Sequence, residues 1–286
     1  LGVIAARGPE AAHFLHNQLT QDFLLLDMQH ARLAALCNAK GRMQASMVGF
    51  KTSAEEVLLV IRTDLLTQTL KRLSMFVLRA KVKLSDASGE WKVYGRLGAL
   101  QEAQPPWKLR QDNGNWTVSL YPGAGMARSM VLAAADAPLS DAPISLDDWL
   151  LSDIASGVGD VQAATFEAFV PQMLNYESVD GVNFKKGCYP GQEVVARSQF
   201  RGILKRRTYI ASSALPLQAG QDIFNSNDAS QPAGQVVQSV SHPRHGHWAL
   251  VCLQTSSVET GHLHPAEAAD SLLKLHSLPY TLRDDI

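Results

Sequence analysis

The chain has 286 residues, of which 46% are hydrophobic and 19% charged, and its formal net charge is −1. This composition supports more than one hydrophobic core, and the near-zero net charge excludes a globally basic nucleic-acid binder. The sequence contains neither an apolar run long enough to predict a membrane span nor an N-terminal segment that resembles a signal peptide. Three cysteines are too few for a disulfide framework, so we expect a reducing cytoplasm.

The N-terminal part of the sequence alternates short apolar runs with segments in which apolar residues recur at helical spacing. Two apolar runs flank turn-forming residues 38–41 and predict a β-hairpin. The predicted elements, in chain order, are a strand over 2–5, a helix over 9–20, the hairpin over 33–37 and 43–50, a strand over 57–61, a helix over 65–76 and a strand over 80–84.

Further along, Ser145 and Asp148 have the spacing of a helix capping box. Turn-forming residues and two prolines predict a surface loop over 100–115 between two strands. The remaining predictions are strands over 92–97 and 116–121, a helix over 145–157, a helix over 192–200 closed by Gly202, and a separate small β-barrel or sandwich with strands over 204–211, 235–240, 248–253 and 272–275.

Cys188 lies in a glycine-rich turn just ahead of a predicted helix. The helix dipole and the neighbouring Lys185 and Lys186 both favour a thiolate, which predicts a reactive thiol. A small buried hydrophobe held by the turn would explain the same residue equally well. Cys37 and Cys252 lie within apolar runs, so we expect both to be buried.

Residues 186–193, with the sequence KGCYPGQE, resemble the signature of the YgfZ family of folate-binding proteins. These proteins are relatives of the aminomethyltransferase, or T-protein, of the glycine cleavage system. The similarity extends to the N-terminal helix, the first hairpin and the C terminus, over residues 8–15, 18–22, 37–42, 169–177, 197–207 and 278–280. The resemblance therefore spans nearly the whole chain.

The resemblance implies an α+β fold in which three lobes form a cloverleaf around a central cavity for tetrahydrofolate. Two interleaved α/β lobes are related to the ferredoxin-like fold, and the third lobe is a C-terminal β-barrel. The first lobe would combine residues 1–48 with 138–202, the second would be residues 49–137, and the barrel would be residues 203–286.

The function that the resemblance implies is that of a tetrahydrofolate-binding accessory protein for iron–sulfur enzymes, including those of tRNA modification. Iron–sulfur enzymes or cluster-assembly proteins would be its partners. Cys188 would be the reactive thiol, with Lys186, Glu193 and Arg197 tuning or orienting it. A lone cysteine cannot hold a cluster, so any cluster contact would be shared with a partner or with folate.

An aminomethyltransferase of the glycine cleavage type is the alternative function. The T-protein family carries an aspartate on the helix after a strand that resembles residues 57–61. Here residues 65–75 contain no acid, and an N-cap role explains Asp64. Loss of such a group typically costs a factor of about 10² to 10⁴ in rate, which disfavours this alternative.

Residues 183–207 carry seven basic residues against Glu193 as the one acid. Direct tRNA contact, an anchor for the glutamate tail of folate and a solvated strand face are three explanations of this segment. The near-zero net charge disfavours direct tRNA contact. The basic residues are Lys185, Lys186, Arg197, Arg201, Lys205, Arg206 and Arg207.

A pterin ring needs an acid or amide that pairs with its polar edge. Asp153 stands where the T-protein family carries a folate-contacting glutamate, although an ordinary acid on a helix surface would explain it too. The other candidate folate contacts are Gln172, Asn175, Glu177, Tyr189 and Arg206.

Two groups of histidines remain: His242, His245 and His247, and the pair His262 and His264. Neither group has a carboxylate or cysteine at a recognised ligand spacing. We therefore expect solvent-exposed turns at both places and predict no metal site.

Overall fold

The computed structural model describes residues 1–137, 144–200, 204–228, 230–266 and 270–283. The predictions that involve Arg201 and Gly202, and the lobe boundaries at 138, 202 and 203, lie outside these residues. Within them the chain has a mixed α/β fold, in which three β-sheets are joined by short helices. None of the helices in these ranges is long and apolar enough to cross a membrane.

The first sheet comes from the N-terminal part of the chain and has the strand order β2-β3-β4-β1-β5, with every neighbouring pair antiparallel. The β2–β3 ladder, which pairs Ala31 with Phe50, confirms the predicted hairpin. The first helix contacts β4 and the second contacts β1. These elements are β1 (Gly2–Arg7), α1 (Ala11–Gln18), β2 (Ala31–Cys37), β3 (Met43–Ser53), β4 (Glu56–Ile61), α2 (Thr63–Ser74) and β5 (Lys83–Asp86).

The second sheet has four antiparallel strands in the order β6-β9-β8-β7. The surface loop predicted over 100–115 is partly wrong, because its short polar segment Leu109–Asp112 pairs as edge strand β7. Asn113 and Gly114 have φ angles of 48° and 81°, which suit a two-residue hairpin turn between β7 and β8. The strands are β6 (Trp91–Ala99), β7 (Leu109–Asp112), β8 (Asn115–Gly123) and β9 (Met126–Ala134).

Helix α3 (Leu146–Ala155) contacts strand β8 of the second sheet, and its start was predicted correctly. The Ser145 hydroxyl oxygen accepts a hydrogen bond of 3.0 Å from the backbone N–H of Asp148, which caps the helix. A Cβ at Gly123 of β8 would lie 2.0 Å from the carbonyl oxygen of Ser152. Only glycine therefore permits this close approach of strand and helix.

The third sheet follows helix α4 (Gln192–Phe200), which has the predicted bounds. Its strand order is β14-β11-β12-β13-β10-β15, and β12 and β13 contact α3. The β-rich C-terminal region is confirmed, whereas closure into a barrel stays a prediction. The elements are β10 (Arg206–Ser213), β11 (Asp222–Asn225), β12 (Gly234–His242), β13 (Gly246–Gln254), α5 (Thr255–Val258), β14 (Leu263–Pro265) and β15 (Lys274–His276).

Candidate functional site

Two regions hold side chains that could carry chemistry: a surface loop around Cys188 and an internal cavity. We call residues 186–191 the thiol loop. Cys188 is exposed there, whereas Cys37 and Cys252 are buried. Burial raises the pKa of both buried thiols to about 12. Cys188 is therefore the cysteine that a reagent or a partner protein can reach.

Lys186 is buried beneath the thiol loop. Its ammonium group donates hydrogen bonds to the carbonyl oxygens of His16 (2.5 Å) and Leu19 (3.0 Å), and it lies 4.4 Å from the centroid of the Tyr189 ring. These carbonyls stand at the C-terminal end of α1, where carbonyl groups lack partners within the helix. Burial lowers the pKa of Lys186 to about 8. Lys186, predicted to tune Cys188, thus fastens the loop to α1.

The other end of the thiol loop packs against the β2–β3 hairpin. Gly191 has a φ of 81°, and a Cβ there would lie 2.4 Å from the carbonyl oxygen of Asn38, so the position requires glycine. On the helix that follows, Glu193 and Arg197 form an exposed ion pair of 2.7 Å. Their charges compensate each other one helical turn apart.

The basic residues of 183–207 do not form one exposed patch. Two of them are buried and serve internal contacts, and a third is paired with Glu193. The positive charge at the surface is therefore smaller than the sequence suggests, which disfavours direct tRNA contact. Lys186 and Arg207 are buried, Arg197 is paired, Arg206 is half-buried, Lys185 and Lys205 are exposed, and Arg201 is outside the described residues.

Three of the candidate folate contacts are buried in the segment before the thiol loop. The Gln172 amide donates to a carbonyl of α4 (2.7 Å), the Asn175 amide donates to a carbonyl of β10 (2.8 Å), and Glu177 accepts from Arg207 (2.6 Å). These bonds join α4 and the third sheet to the rest of the fold. Within the described residues, the candidates that do not line the cavity are Gln172, Asn175, Glu177, Tyr189 and Arg206.

The internal cavity has a volume of about 1120 Å³ and lies between the first two sheets and α3. Most of its wall is apolar and comes from strands β3, β4, β6, β8 and β9. Its volume is slightly above the range of about 300–1,000 Å³ that is usual for small-molecule sites. The charged or hydroxyl side chains that line it include Ser46, Arg62, Arg96, Arg128, Asp153 and Asp160.

Asp153, predicted as the pterin contact, lies in this wall beside Arg128. Arg128 donates to the Asp153 carboxylate at 2.5 Å and to the Ser152 hydroxyl at 3.0 Å, and its guanidinium carbon lies 4.7 Å from the centroid of the Trp149 ring. Burial lowers the pKa of Arg128, and the Asp153 carboxylate offsets that effect only in part. A carboxylate has about four lone-pair sites, so Asp153 can also accept from a ligand.

Asp160 is the second acid in the cavity wall, and the sequence analysis missed it. Burial raises the pKa of Asp160 to about 7, and the charge of Arg62 and the Ser46 hydroxyl offset this shift only in part. An acid with such a pKa inside a cavity is a typical functional candidate. The one sequence signal was an acid directly after a glycine-rich turn, which is common in proteins and carries little information.

Asp64, expected to cap α2, lies instead in the first turn of that helix, and Arg62 occupies the N-cap position. Asp64 pairs with Arg62 at 3.1 Å and accepts a hydrogen bond of 3.0 Å from the backbone N–H of Ala163. Its carboxylate therefore links α2 to the loop that follows Asp160 rather than lining the cavity.

Two histidines expected in exposed turns, His242 and His264, are buried. His242 Nε2 lies 3.0 Å from the Asp148 carboxylate, which Arg244 also reaches at 3.1 Å. Hydrogen bonds from Ser145 and His242 lower the pKa of Asp148 to about 2. In the part of the chain that the structure describes, no group of three or more His, Cys, Asp or Glu side chains could hold a metal ion.

The fold is that of the glycine cleavage T-protein. The structure is similar, with a TM-score of 0.68, to the crystal structure of the glycine cleavage system aminomethyltransferase T from Bartonella henselae. The two share 15% sequence identity, and the match covers 97% of this chain and 83% of that one. At this identity the likeness shows the fold alone.

The chain is also similar in sequence to a group of proteins that share one name. The chain is 26% identical to the tRNA-modifying protein YgfZ of Photobacterium profundum over 99% of its length and 90% of the relative. It is 27% identical to an uncharacterised protein of Haemophilus influenzae over 99% of its length and 96% of the relative. No protein-family model matches the chain. The predicted resemblance to the YgfZ proteins is confirmed.

Proposed function

We propose that this protein binds tetrahydrofolate or a derivative in the internal cavity and supports assembly or repair of iron–sulfur enzymes in the cytoplasm, including enzymes of tRNA modification. The cavity is the main support for this proposal. It is large enough for a cofactor, has apolar walls and contains two carboxyl groups, those of Asp153 and Asp160, in a T-protein-like fold. The YgfZ relatives are named tRNA-modifying proteins, which supports the link to tRNA modification.

The chemistry of the cavity wall suits a reduced folate. A pterin ring presents N–H donors at its edge, and the carboxylates of Asp153 and Asp160 can accept from them. Apolar side chains such as Val93 would contact the p-aminobenzoyl ring. Arg62 and Arg96 also line the cavity and could pair with the carboxylates of the glutamate tail.

The remaining candidate contacts would act indirectly under this proposal. Gln172, Asn175 and Glu177 hold the segment that contains Tyr176, and Tyr176 itself reaches the cavity wall. Tyr189 would support the thiol loop through its contact with Lys186, and Arg206 would stay at the surface of the third sheet. Folate binding would then depend on them through the shape of the cavity.

Calorimetry tests the folate proposal directly. Titration with tetrahydrofolate and with its methylene and formyl derivatives should show a micromolar Kd, or about −8 kcal/mol, and saturating ligand should raise the Tm. The absence of heat and of any Tm shift with all three compounds at high micromolar concentration would overturn the proposal.

We also propose the three-lobed organisation, with residues 1–48 and 138–202 in the first lobe, residues 49–137 in the second and residues 203–286 as a barrel. The second and third sheets support it, since their strands come from the proposed second and third lobes respectively, whereas the first sheet joins β1 and β2 of the first lobe to β4 and β5 of the second. Together, these lobes would enclose the folate cavity and leave the thiol loop at the surface.

The exposed thiol loop would be the region that works on iron–sulfur partners, with Glu193 and Arg197 on the adjoining helix. Cys188→Ala should keep the fold and the folate affinity yet fail to restore iron–sulfur enzyme activity in cells that lack the native protein. Cys252→Ala, which removes a buried thiol, is the matched control and should complement. Full complementation by Cys188→Ala would place the function in folate binding or partner contact alone.

An aminomethyltransferase activity is the second candidate function, and one observation favours it. Residues 65–75 lack the acid that an aminomethyltransferase of this type would carry there, but Asp160 brings a different acid into the cavity. The fold itself is that of an aminomethyltransferase. We expect no formation of methylenetetrahydrofolate from the aminomethylated carrier protein, and its detection would replace the accessory function with the enzymatic one.

A further inference from the structure

The carboxyl group of Asp160 lines the cavity without forming an ion pair within the described residues. Two cations of the cavity wall are already paired with other acids: Arg62 with Asp64 at 3.1 Å, and Arg128 with Asp153 at 2.5 Å. The position of Asp160 is fixed through its backbone, whose N–H donates to the side-chain oxygen of Gln238 on β12 at 2.6 Å. The free protein therefore holds a carboxyl group in place while leaving it without a cation.

The groups that act on Asp160 come from three elements, α2 with its N-cap residue, α3 and β3. Arg62 at the start of α2 favours the carboxylate, while Asp64 in the same helix and Asp153 in α3 disfavour it. From β3, the Ser46 hydroxyl favours the charged form. Ser46 Oγ is itself 2.7 Å from the hydroxyl of Tyr176, whose ring is buried.

We propose that Asp160 is a proton-linked binding residue of the cavity, whose carboxylate accepts a hydrogen bond from a ring N–H of the ligand, so that ligand entry releases the proton that the free protein carries there. The proton passes to solvent, and no covalent bond forms or breaks. This inference rests on the proposed folate function and adds to it a coupling between ligand uptake and pH. It also defines the ligand class as a heteroaromatic ring with N–H donors at the buried edge.

The expected size of the coupling follows from the ionisation of Asp160. With a pKa of about 7 in the free protein, about nine-tenths of Asp160 is protonated at pH 6 and about one-tenth at pH 8. A ligand that binds the carboxylate should therefore bind about tenfold more tightly at pH 8 than at pH 6. The described residues that line the cavity include no histidine and no lysine.

Calorimetry with 5-formyltetrahydrofolate, in buffers of different ionisation enthalpy, measures both affinity and proton release. The wild-type protein should release about 0.9 proton per bound ligand at pH 6 and about 0.1 at pH 8, with the tenfold change in Kd. Asp160→Asn should bind with a Kd that is independent of pH and should release no proton.

Asp64→Asn is the matched control, since it removes the same charge from a carboxylate that is not among the described lining residues. It should keep the proton release, with the pH range of the release moved to lower pH, because the Asp64 charge that disfavours the Asp160 carboxylate is gone. Wild-type binding without proton release, or tighter binding at pH 6, would overturn the role of Asp160 and leave the folate proposal standing. No binding at any pH between 6 and 8 would overturn the folate proposal, and the inference with it.

Discussion

The thiol loop and the internal cavity each contain a buried ionisable side chain, but the surroundings of the two side chains differ. Lys186 of the loop donates to the carbonyl oxygens of His16 and Leu19. Asp160 of the cavity has no ion pair within the described residues, and its pKa lies near neutrality. The hydrogen bonds of Lys186 thus fix the loop with Cys188 at the surface, whereas the Asp160 carboxyl group of the cavity can gain or lose a proton near neutral pH.

Thiol labelling gives the largest expected contrast and tests whether the two regions are separate. Iodoacetamide at neutral pH should modify Cys188 at least about 100-fold faster than Cys37 or Cys252, because burial keeps those two thiols protonated. Mass spectrometry of timed samples measures the three rates. Saturating reduced folate should leave the Cys188 rate unchanged, since Cys188 does not line the cavity in the described residues. Protection by folate would show that loop and cavity form one site.

Arg207→Met should destabilise the segment between the two regions. It leaves the fully buried Glu177 carboxylate without its cation, and breaking such a pair typically costs about 3–5 kcal/mol. The free energy of unfolding in urea measures the loss. Arg206→Met, at the adjacent half-buried position of the same strand, should cost no more than about 1 kcal/mol. Equal losses for the two variants would show that the pair does not provide the stability.

Asp160→Asn should change how the stability of the ligand-free protein depends on pH. The folded-state pKa of about 7 lies above the ordinary value of 3.8, so the folded protein binds more protons than the unfolded chain between these values. Wild-type stability from this group therefore falls as pH rises through that window. The variant should gain about 2–3 kcal/mol relative to wild type between pH 5 and pH 8 in denaturant unfolding. A difference that does not vary with pH would contradict the assignment.

Lys186→Met gives the smallest expected effect and probes the anchoring of the thiol loop. The substitution leaves carbonyl oxygens at the end of α1 without a donor, which typically costs about 1–3 kcal/mol. Hydrogen exchange of residues 186–191 should accelerate, while folate affinity should stay unchanged. Lys185→Met, at the exposed neighbouring position, should alter stability by less than about 0.5 kcal/mol. Faster exchange in both variants would argue against a specific anchor.

The same two regions show how much the sequence could predict. The β2–β3 hairpin, the Ser145 cap of α3 and the bounds of α4 depend on residues close together in the chain, so local patterns were sufficient. The thiol loop belongs to this group as a contiguous motif. Asp160 does not, because its surroundings are assembled from residues as distant as Ser46 and its own segment has no distinctive pattern.

Two further differences have the same physical origin. Strand β7 is short and polar, and only its pairing with β8 makes it a strand. The direction of the Lys186 side chain depends on the position of α1, which the sequence around Lys186 does not specify. Contacts between residues far apart in the chain determine the pairing of β7 and the direction of the Lys186 side chain. Such contacts cannot be read directly from one sequence.

The hydrogen bond from Lys186 to His16 joins residues 170 positions apart in the chain. During synthesis α1 is made long before Lys186, and contacts across so long a separation form late because closing a large loop has an entropic cost. A growing or truncated chain that ends before residue 186 also lacks Cys188. In a complete chain, the loop is held in place only after Lys186 has contacted His16 at the end of α1. A partner that recognised the ordered loop would therefore bind only chains in which this contact between the two ends of the sequence had formed.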